Sequence, residues 1–423
     1  MGFRRLLWNV KMKVLSMMSK DAKVIYSSIR ELEIPKEQLY LHGDEECPCG
    51  SGKKYKECCK NKEDQNPIAS KKPPEVILME RMRKGMQQDK VCLHPDKAHC
   101  RGKIKEAHAL QNHKIISLLS SADNHVIMQD PTRQPIILDS NPKHPFFAVP
   151  FVRVSGNKAT TQTCFCDVHD TISFKAIEAG APDFDPQNEE MEFVYAYKAF
   201  IFEFYKQQHL MWMMRKLFSE KPQLFSRPEH VAEYRVQSMR MTEFQKIKKH
   251  YDSEIMNGTH NGVETFVVEI PHKIQFANYA YIAPEFDLNG NKISTIDKTN
   301  MMHRIAVTVL PESSKSYILM SCLDTEMEFY SSYFNEMSNA PLDKILFYFN
   351  IVLPLYSENL VLSEQLWNSQ NEEMQEGLTY MANLIGNEQF GLSQTVGMAL
   401  RNAARKRNFD YSKRVGFDLF KKF

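Results

Sequence analysis

Apolar residues recur every three or four positions along the segment 192–218, which is the spacing of one side of an α-helix. These positions are Phe193, Tyr197, Phe200, Ile201, Phe204, Met211, Met214 and Leu217. Charged residues interrupt the segment, among them Lys198, Glu203, Lys206 and Arg215. We therefore expect a helix that packs against a core rather than one that spans a membrane.

Segments typical of β-strands follow this helix. They occupy residues 265–270, 274–282, 305–310 and 317–322, and Leu288-Asn-Gly-Asn291 supplies a turn signal between them. Helical patterns return at about 325–337, 342–361 and 363–386. The sequence therefore predicts an α+β domain over residues 190–423, with an antiparallel sheet, several helices and a basic C-terminal tail from Arg401.

The front of the chain is organised differently. Residues 19–32 predict a short amphipathic helix, which is capped by Ser19 and ends before Pro35, within an N-terminal segment 1–44. Residues 60–74 are polar and contain Pro67, Pro73 and Pro74, so we expect a linker, which we assign to residues 63–90. A Cys/His-rich region follows at 91–185.

Composition and charge set limits on the class of protein. The chain has 423 residues, of which 43% are apolar, so we expect two or three domains and at least one sizeable core. The net charge of +2 is uneven, because residues 1–115 carry 24 Lys and Arg against 15 Asp and Glu. A basic segment can bind the phosphate backbone of a nucleic acid. Clustered lysines are also common on an ordinary solvated surface. No apolar run approaches the length of a bilayer span, and we expect a cytoplasmic protein.

Eight of the nine cysteines lie in the first 170 residues, and four of them form one run, Cys47, Cys49, Cys58 and Cys59. Two close pairs of thiolates separated by a turn are what a structural zinc ion requires. Gly50-Ser51-Gly52 lets the backbone turn between the pairs, while neighbouring lysines offset a tetrathiolate charge of about −2. A segment this short has no apolar core, so its folding energy has to come from the metal.

This run, Cys-Pro-Cys-Gly-Ser-Gly-Lys-Lys-Tyr-Lys followed by Cys58-Cys59, resembles the SEC-C zinc knuckle over residues 45–60. The SEC-C module is the zinc tail of the preprotein translocase ATPase and an accessory knuckle of many otherwise unrelated bacterial proteins. In the translocase it docks onto a chaperone and the ribosome. The resemblance implies a knuckle at 45–62 with a tethering role.

A second set of cysteines and histidines is concentrated in residues 92–169. Cys166 and His169 form a C-x-x-H pair, whose spacing brings both side chains into one turn. Cys92 and Cys100 can supply the other half of a tetrahedral zinc site. We expect Cys164 and Cys322 to be buried thiols, and His94, His99 and His113 to lie at the surface.

Along the chain, two cysteines are followed by Ala107-His108 and then by the C-x-x-H pair. This order is similar to the treble clef of HNH-type nucleases, and the region also resembles uncharacterised bacterial proteins. In HNH enzymes a structural zinc supports a histidine that activates water beside a second metal. The resemblance implies His108 as general base and His125 as its partner. Two other roles for His108 remain open: it is the fourth zinc ligand in place of His169, or a histidine bonded within its own fold.

Two main hypotheses follow, and a third leaves the large domain as an enzyme whose residues one sequence does not reveal. In the first, two Zn²⁺ ions hold docking modules for a protein, ribosome or nucleic-acid partner. In the second, the middle region is a metal-dependent nuclease, with a role in defence against phage. The sequence leaves open whether the protein is an enzyme, and also its oligomeric state.

Overall fold

The computed structural model describes residues 36–65, 90–139, 146–178, 180–293, 302–384, 392–414 and 416–423. The helix expected at 19–32 and most of the expected linker at 63–90 lie outside these residues. Among the described residues, no helix combines the length and the apolar character that a membrane crossing requires.

Eleven strands are formed by the described residues. They are β1 Ile104–His108, β2 His125–Gln129, β3 Ile136–Asp139, β4 Phe146–Ala148, β5 Phe151–Ser155, β6 Thr161–Cys166, β7 Val263–Ile270, β8 Phe276–Ile282, β9 Ile305–Pro311, β10 Ser316–Leu323 and β11 Val361–Leu362. Seven of them form the main sheet in the order β5-β2-β11-β8-β9-β10-β7. Every neighbouring pair in that sheet is antiparallel, which confirms the predicted antiparallel sheet.

The main sheet draws strands from both of the regions that the sequence separates at about residue 185. β7 to β10 correspond to the four predicted strands, whereas β2 and β5 come from the Cys/His-rich region. The two-residue strand β11 lies between β2 and β8 and pairs with both. Two small sheets, β1-β6 and β3-β4, complete the strand pairing.

The helices of the described chain run as follows: α1 Ser117–Leu119, α2 Asp167–Ser173, α3 Glu189–Glu220, α4 Pro228–Asn257, α5 Met327–Asn339, α6 Leu342–Tyr356, α7 Glu364–Asn368, α8 Glu372–Ala382 and α9 Leu392–Arg405. A π-helical turn, Asn112–Ile116, leads into α1. Together with the antiparallel sheet, these helices make the protein α+β, as the sequence predicts. The long helices α3 and α4 form an antiparallel hairpin joined by a short turn at Pro222–Ser226.

The ends of this hairpin follow from the sequence. The side chain of Asn188 accepts a hydrogen bond from the backbone N–H of Met191 at 3.1 Å, which caps the start of α3. Pro228 occupies the first turn of α4, and Gly258 ends that helix with a φ of 67°. These residues set the start of α3 and both ends of α4.

The main sheet is buried on both faces, and alternate residues of each strand enter different cores. Tyr279 and Tyr281 of β8 pack with α3 and α4, while Ala280 and Ile282 pack with α5 and α6. The C-terminal segment closes the second core, because Phe420 packs on Phe276 at a ring distance of 5.1 Å. The molecule therefore has three layers, with the sheet in the middle.

Candidate metal centres

The first cysteine cluster is built on a small hairpin. Glu46 and Lys54 form an antiparallel bridge, and the backbone N–H of Cys47 donates to the carbonyl of Lys53 at 2.8 Å. Gly50 and Gly52 adopt φ values of 78° and 70°, which glycine reaches without strain. A single helical turn, Tyr55–Glu57, then delivers the second pair of cysteines.

The four thiols of this cluster meet at one point. Their sulfur atoms lie within 4.8 Å of one another, with Cys49 Sγ 3.6 Å from Cys58 Sγ and Cys58 Sγ 3.7 Å from Cys59 Sγ. A tetrahedral zinc ion with bonds of about 2.3 Å would separate its sulfurs by about 3.8 Å. All four cysteines are free, and a disulfide would need sulfurs about 2 Å apart. The donor set therefore fits a tetrathiolate metal site.

The protonation of the thiols also fits a metal. Burial opposes ionisation of Cys49, but contacts with Ser51 and with Cys47 outweigh it and lower the pKa of Cys49 to about 7. Burial and the neighbouring thiols raise the pKa of Cys59 well above its ordinary value. The raised pKa values of Cys47 and Cys59 oppose their ionisation at neutral pH, and a divalent cation at the centre of the cluster would remove this obstacle.

The knuckle formed by residues 45–62 is seated on the α3–α4 hairpin. The ring of Tyr55 meets that of Phe225 edge-on at 6.1 Å, in the turn between the two helices. The side chain of Arg215 on α3 covers Gly50, with its Cδ 3.1 Å from where a Cβ would lie. Immediately after the knuckle, the backbone N–H of Gln65 donates to the carbonyl of Glu220 at 2.8 Å. The knuckle is therefore fixed to the helical layer at several points.

The second cluster joins three parts of the Cys/His-rich region. Cys92 lies in a segment that runs alongside β6. There the backbone N–H of Leu93 donates to the carbonyl of Cys164 at 2.9 Å. Cys166 ends β6 and caps α2, and His169 lies in the first turn of that helix. Cys100 comes just before β1, which pairs with β6. The fold thus brings together the four residues that the sequence predicts.

The geometry of this cluster matches a tetrahedral site with three sulfurs and one nitrogen. His169 Nδ1 lies 3.4 Å from Cys92 Sγ, 3.6 Å from Cys100 Sγ and 3.3 Å from Cys166 Sγ. Zinc bonds of about 2.3 Å to sulfur and 2.05 Å to nitrogen predict about 3.6 Å for such pairs. Burial and the neighbouring Cys92 raise the pKa of Cys100 to about 11, an effect that a bound cation would reverse.

His94 supports the histidine of this cluster from the side. Its ring stacks on that of His169 at 3.9 Å and 8°, and its Nδ1 accepts a hydrogen bond from the backbone N–H of Asp96 at 3.1 Å. The expectation that His94 lies at the surface is wrong, since only 6% of it is exposed. The ring of His94 buries one face of the ligand, a role that residue spacing did not reveal.

The structure places His108 and His125 apart from both clusters and on different sheets. His108 ends β1, and its Nδ1 lies 2.9 Å from the carbonyl oxygen of Ala159. His125 begins β2, and its Nδ1 lies 2.8 Å from the carbonyl oxygen of Asp123. His108 is therefore not in the group that could hold a metal, where the fourth position belongs to His169.

The remaining cysteines and histidines take ordinary positions. Cys164 and Cys322 are buried, as expected, and His99 is exposed and paired with Asp96 at 2.6 Å. His113 is exposed as well. Within the described ranges, no third set of three or more His, Cys, Asp or Glu side chains converges closely enough for one ion.

Comparison with known proteins identifies the first cluster only. The family model of the SEC-C motif matches residues 45–61, the segment that holds Cys47, Cys49, Cys58 and Cys59. No curated protein matches the chain, and no solved structure does. The SEC-C motif is a zinc-binding motif, and its match ends before the second cluster and the α+β layers begin.

Proposed function

We propose that the protein is a zinc-stabilised docking protein, in which two Zn²⁺ ions hold the front of the chain against the α3–α4 hairpin. Cys47, Cys49, Cys58 and Cys59 ligate the first ion, and Cys92, Cys100, Cys166 and His169 the second. The observation that carries this proposal is the seating of the SEC-C knuckle. Tyr55 and Gly50 of the knuckle pack on Phe225 and Arg215, and the knuckle also presents the exposed side chains of Lys53, Lys54 and Lys56.

The two sites have different roles in this proposal. The first gives a rigid, exposed module of the kind that binds a protein, ribosome or nucleic-acid partner. The second ties the segment 92–100 to β6 and α2, beside the core that includes Phe165 and Phe174. Zinc in both sites is structural, since four protein ligands complete the tetrahedron and leave no position for a substrate.

Metal content and partner binding test the proposal together. We expect two zinc ions per chain after dialysis, and one after Cys59→Ser, because that variant breaks only the knuckle. The same variant should lose co-sedimentation with purified ribosomes or retention on immobilised nucleic acid or acidic polypeptide, while Cys322→Ser keeps both. Zinc bound in both sites with no binding to any of these partners would leave the protein a metalloprotein without a docking role.

A metal-dependent nuclease is the second candidate, and His108 is the observation that favours it. The carbonyl of Ala159 accepts a hydrogen bond from Nδ1, so Nε2 is the basic nitrogen of the half-buried ring. Burial lowers the pKa of His108, which keeps the ring neutral and able to take a proton from water at pH 7. The ion pair between the buried Lys198 and the partly exposed Glu178, 2.5 Å apart, influences the same ring.

Plasmid nicking tests this candidate. Cleavage stimulated by Mg²⁺ or Mn²⁺ should disappear in His108→Ala, with zinc content unchanged and with His113→Ala as the matched surface control. A catalytic Mg²⁺ would rely on substrate phosphates, as such ions often do. Zinc-loaded protein that leaves plasmid, linear DNA and RNA intact under these conditions excludes the nuclease, and with it a nuclease role in phage defence.

A further inference from the structure

We propose that the SEC-C knuckle and one turn of α3 together form a binding face for single-stranded nucleic acid. The face consists of the knuckle loop Ser51-Gly52-Lys53 and the helical residues Trp212, Arg215 and Lys216. This inference rests on the docking role proposed above and names its partner class. It differs from that role in the residues it depends on, because neither Trp212 nor Lys216 belongs to the knuckle.

Trp212 is the platform of this face. It is 43% exposed, on a helix whose other large apolar side chains are largely buried. The ring of the buried His209 stacks against the indole at 5.6 Å and 30°, which fixes the orientation of the indole. Lys216 lies one turn further on, with its Nζ over the indole ring at 5.1 Å from the centroid, so a base that stacks on this face has to move the flexible lysine side chain aside. An oriented, exposed aromatic ring beside a cation is a surface on which a nucleic-acid base can stack.

Arg215 connects the platform to the knuckle. It is three residues beyond Trp212, so both side chains lie on the same side of α3, about 4.5 Å apart along its axis. The aliphatic part of Arg215 lies against Gly50, while the residue as a whole is exposed. Two residues further along the same loop, the exposed Gly52 has open space around it and is followed by the exposed Lys53. The helix turn and the loop are therefore one continuous surface.

The charges of this face are available to a ligand. Lys53, Arg215 and Lys216 form no ion pair with any residue in the described part of the chain, whereas Lys54 and Lys56 are both paired with Asp44. In the knuckle loop, Lys54 and Lys56 therefore share the carboxylate of Asp44, while Lys53 has no counter-ion among the described residues. Unpaired cations around an exposed indole match a chain of phosphates with bases between them. An acidic protein would use the cations but leave the indole without a stacking partner.

The test is the binding of a fluorescein-labelled oligo(dT) 15-mer to the zinc-loaded full chain, followed by anisotropy and by tryptophan fluorescence. We expect quenching of the indole on binding. Trp212→Ala should weaken binding about tenfold, within the range for loss of one stacked base, and Trp212→Phe should restore part of the affinity. Lys53→Ala and Lys216→Ala should each reduce the slope of log Kd against log salt by about 0.7.

Matched controls lie on other parts of the molecule. Met256→Ala removes an apolar side chain that is 58% exposed, and Lys413→Ala removes a lysine whose side chain is 83% exposed. Both should bind the oligonucleotide like the parent protein. If Trp212→Ala and Lys53→Ala also bind like the parent, or if the parent does not bind at low salt, the inference is wrong.

Two further measurements separate this inference from the docking proposal. Zinc content is determined for the parent protein and for each variant. If the parent protein holds no zinc, the docking proposal is wrong, whatever the oligonucleotide does. Poly-glutamate is then offered as a competitor. Binding of poly-glutamate through the lysines with no dependence on Trp212 would assign the face to an acidic protein and overturn the nucleic-acid assignment alone.

Discussion

Arg235 on α4 holds Glu45 at the start of the SEC-C knuckle through one nitrogen that contacts both carboxylate oxygens. Its Nη2 donates to Glu45 Oε1 at 3.0 Å and to Oε2 at 2.9 Å. The same guanidinium donates to the backbone carbonyls of Gln38 and Tyr40. One side chain of the helical layer therefore fixes both the knuckle and the segment that leads into it.

A double-mutant cycle on this pair measures how firmly the knuckle is seated. We expect Arg235→Met and Glu45→Gln to show a coupling of about 1–2 kcal/mol in urea unfolding of the zinc-loaded protein, because both side chains are partly buried. The pair Lys56 and Asp44 is the control, and its coupling should be smaller since both groups face solvent. Equal couplings would show that Arg235 does not hold the knuckle.

The second cluster should contribute more to stability than the first, because it joins segments far apart in the sequence. Cys166→Ala removes one of four ligands next to a buried core, so we expect a loss of about 4 kcal/mol in the free energy of unfolding and of one zinc ion. Cys164→Ala is the matched control, since it removes a buried thiol from the same strand outside the cluster. It should keep both zinc ions. Equal zinc content in the two variants would remove Cys166 from the ligand set.

The stacking of His94 on His169 is expected to slow the release of zinc. His169 Nε2 is buried and has no hydrogen-bond partner among the described residues, so stacking is what restrains the ring. His94→Ala should weaken zinc binding about tenfold, as measured by competition with a chromogenic chelator. His94→Phe keeps a flat ring at this position and should recover most of the affinity. If His94→Ala binds zinc as tightly as the parent protein, the ring contact has no role in metal binding.

A buried carboxylate at the centre of α3 should make stability depend on pH. Glu203 lies 2.8 Å from Lys206 Nζ and 3.1 Å from Asn359 Nδ2. Burial opposes its ionisation, but the charge of Lys206 outweighs burial and lowers the pKa of Glu203 below its ordinary value of 4.5. The ionised carboxylate therefore stabilises the fold above pH 4.5, and this contribution disappears as the pH falls through the lower, folded pKa.

Glu203→Gln tests this prediction. At pH 7 we expect the variant to lose about 3 kcal/mol of unfolding free energy, because the largely buried charge of Lys206 keeps only the exposed Glu358, 3.9 Å away, as a counter-ion. The difference from the parent protein should shrink below pH 4.5. Zinc thiolates are protonated in the same range in both proteins, so only the difference between the two urea unfolding curves is compared. A difference that is constant from pH 7 to pH 4 contradicts the prediction.

The two Cys/His clusters that could hold a metal ion could be predicted from the sequence because their chemistry is local. Cys58-Cys59 and the C-x-x-H pair of Cys166 and His169 each form within one turn of backbone, so spacing alone indicates half a site. Cys92 and Cys100 could be assigned to the same cluster on one assumption, that uncommon residue types concentrated in one region surround one ion. The four strands β7 to β10 were predictable for a similar reason, since their apolar runs are long and are bounded by turns.

Long-range pairing was not predictable in this way. Val361 and Leu362 form a strand only because β2 and β8 lie on either side of them, and within their own segment they follow a helical pattern. The contact between Glu45 and Arg235 joins residues 190 positions apart, and neither residue type indicates a partner at such a distance. His94 was misjudged because nothing in its neighbours shows that it stacks on His169.

The position of β11 has a consequence for biosynthesis. Its two residues join β5 and β2 to the other four strands of the sheet. The seven-stranded sheet therefore cannot be completed until the chain has been synthesised past Leu362. During translation the first strands emerge long before their partner does, with an edge open to wrong pairing. The cluster of Cys92, Cys100, Cys166 and His169 is complete by residue 169, so an ion captured on the nascent chain would keep this early part in order until β11 arrives.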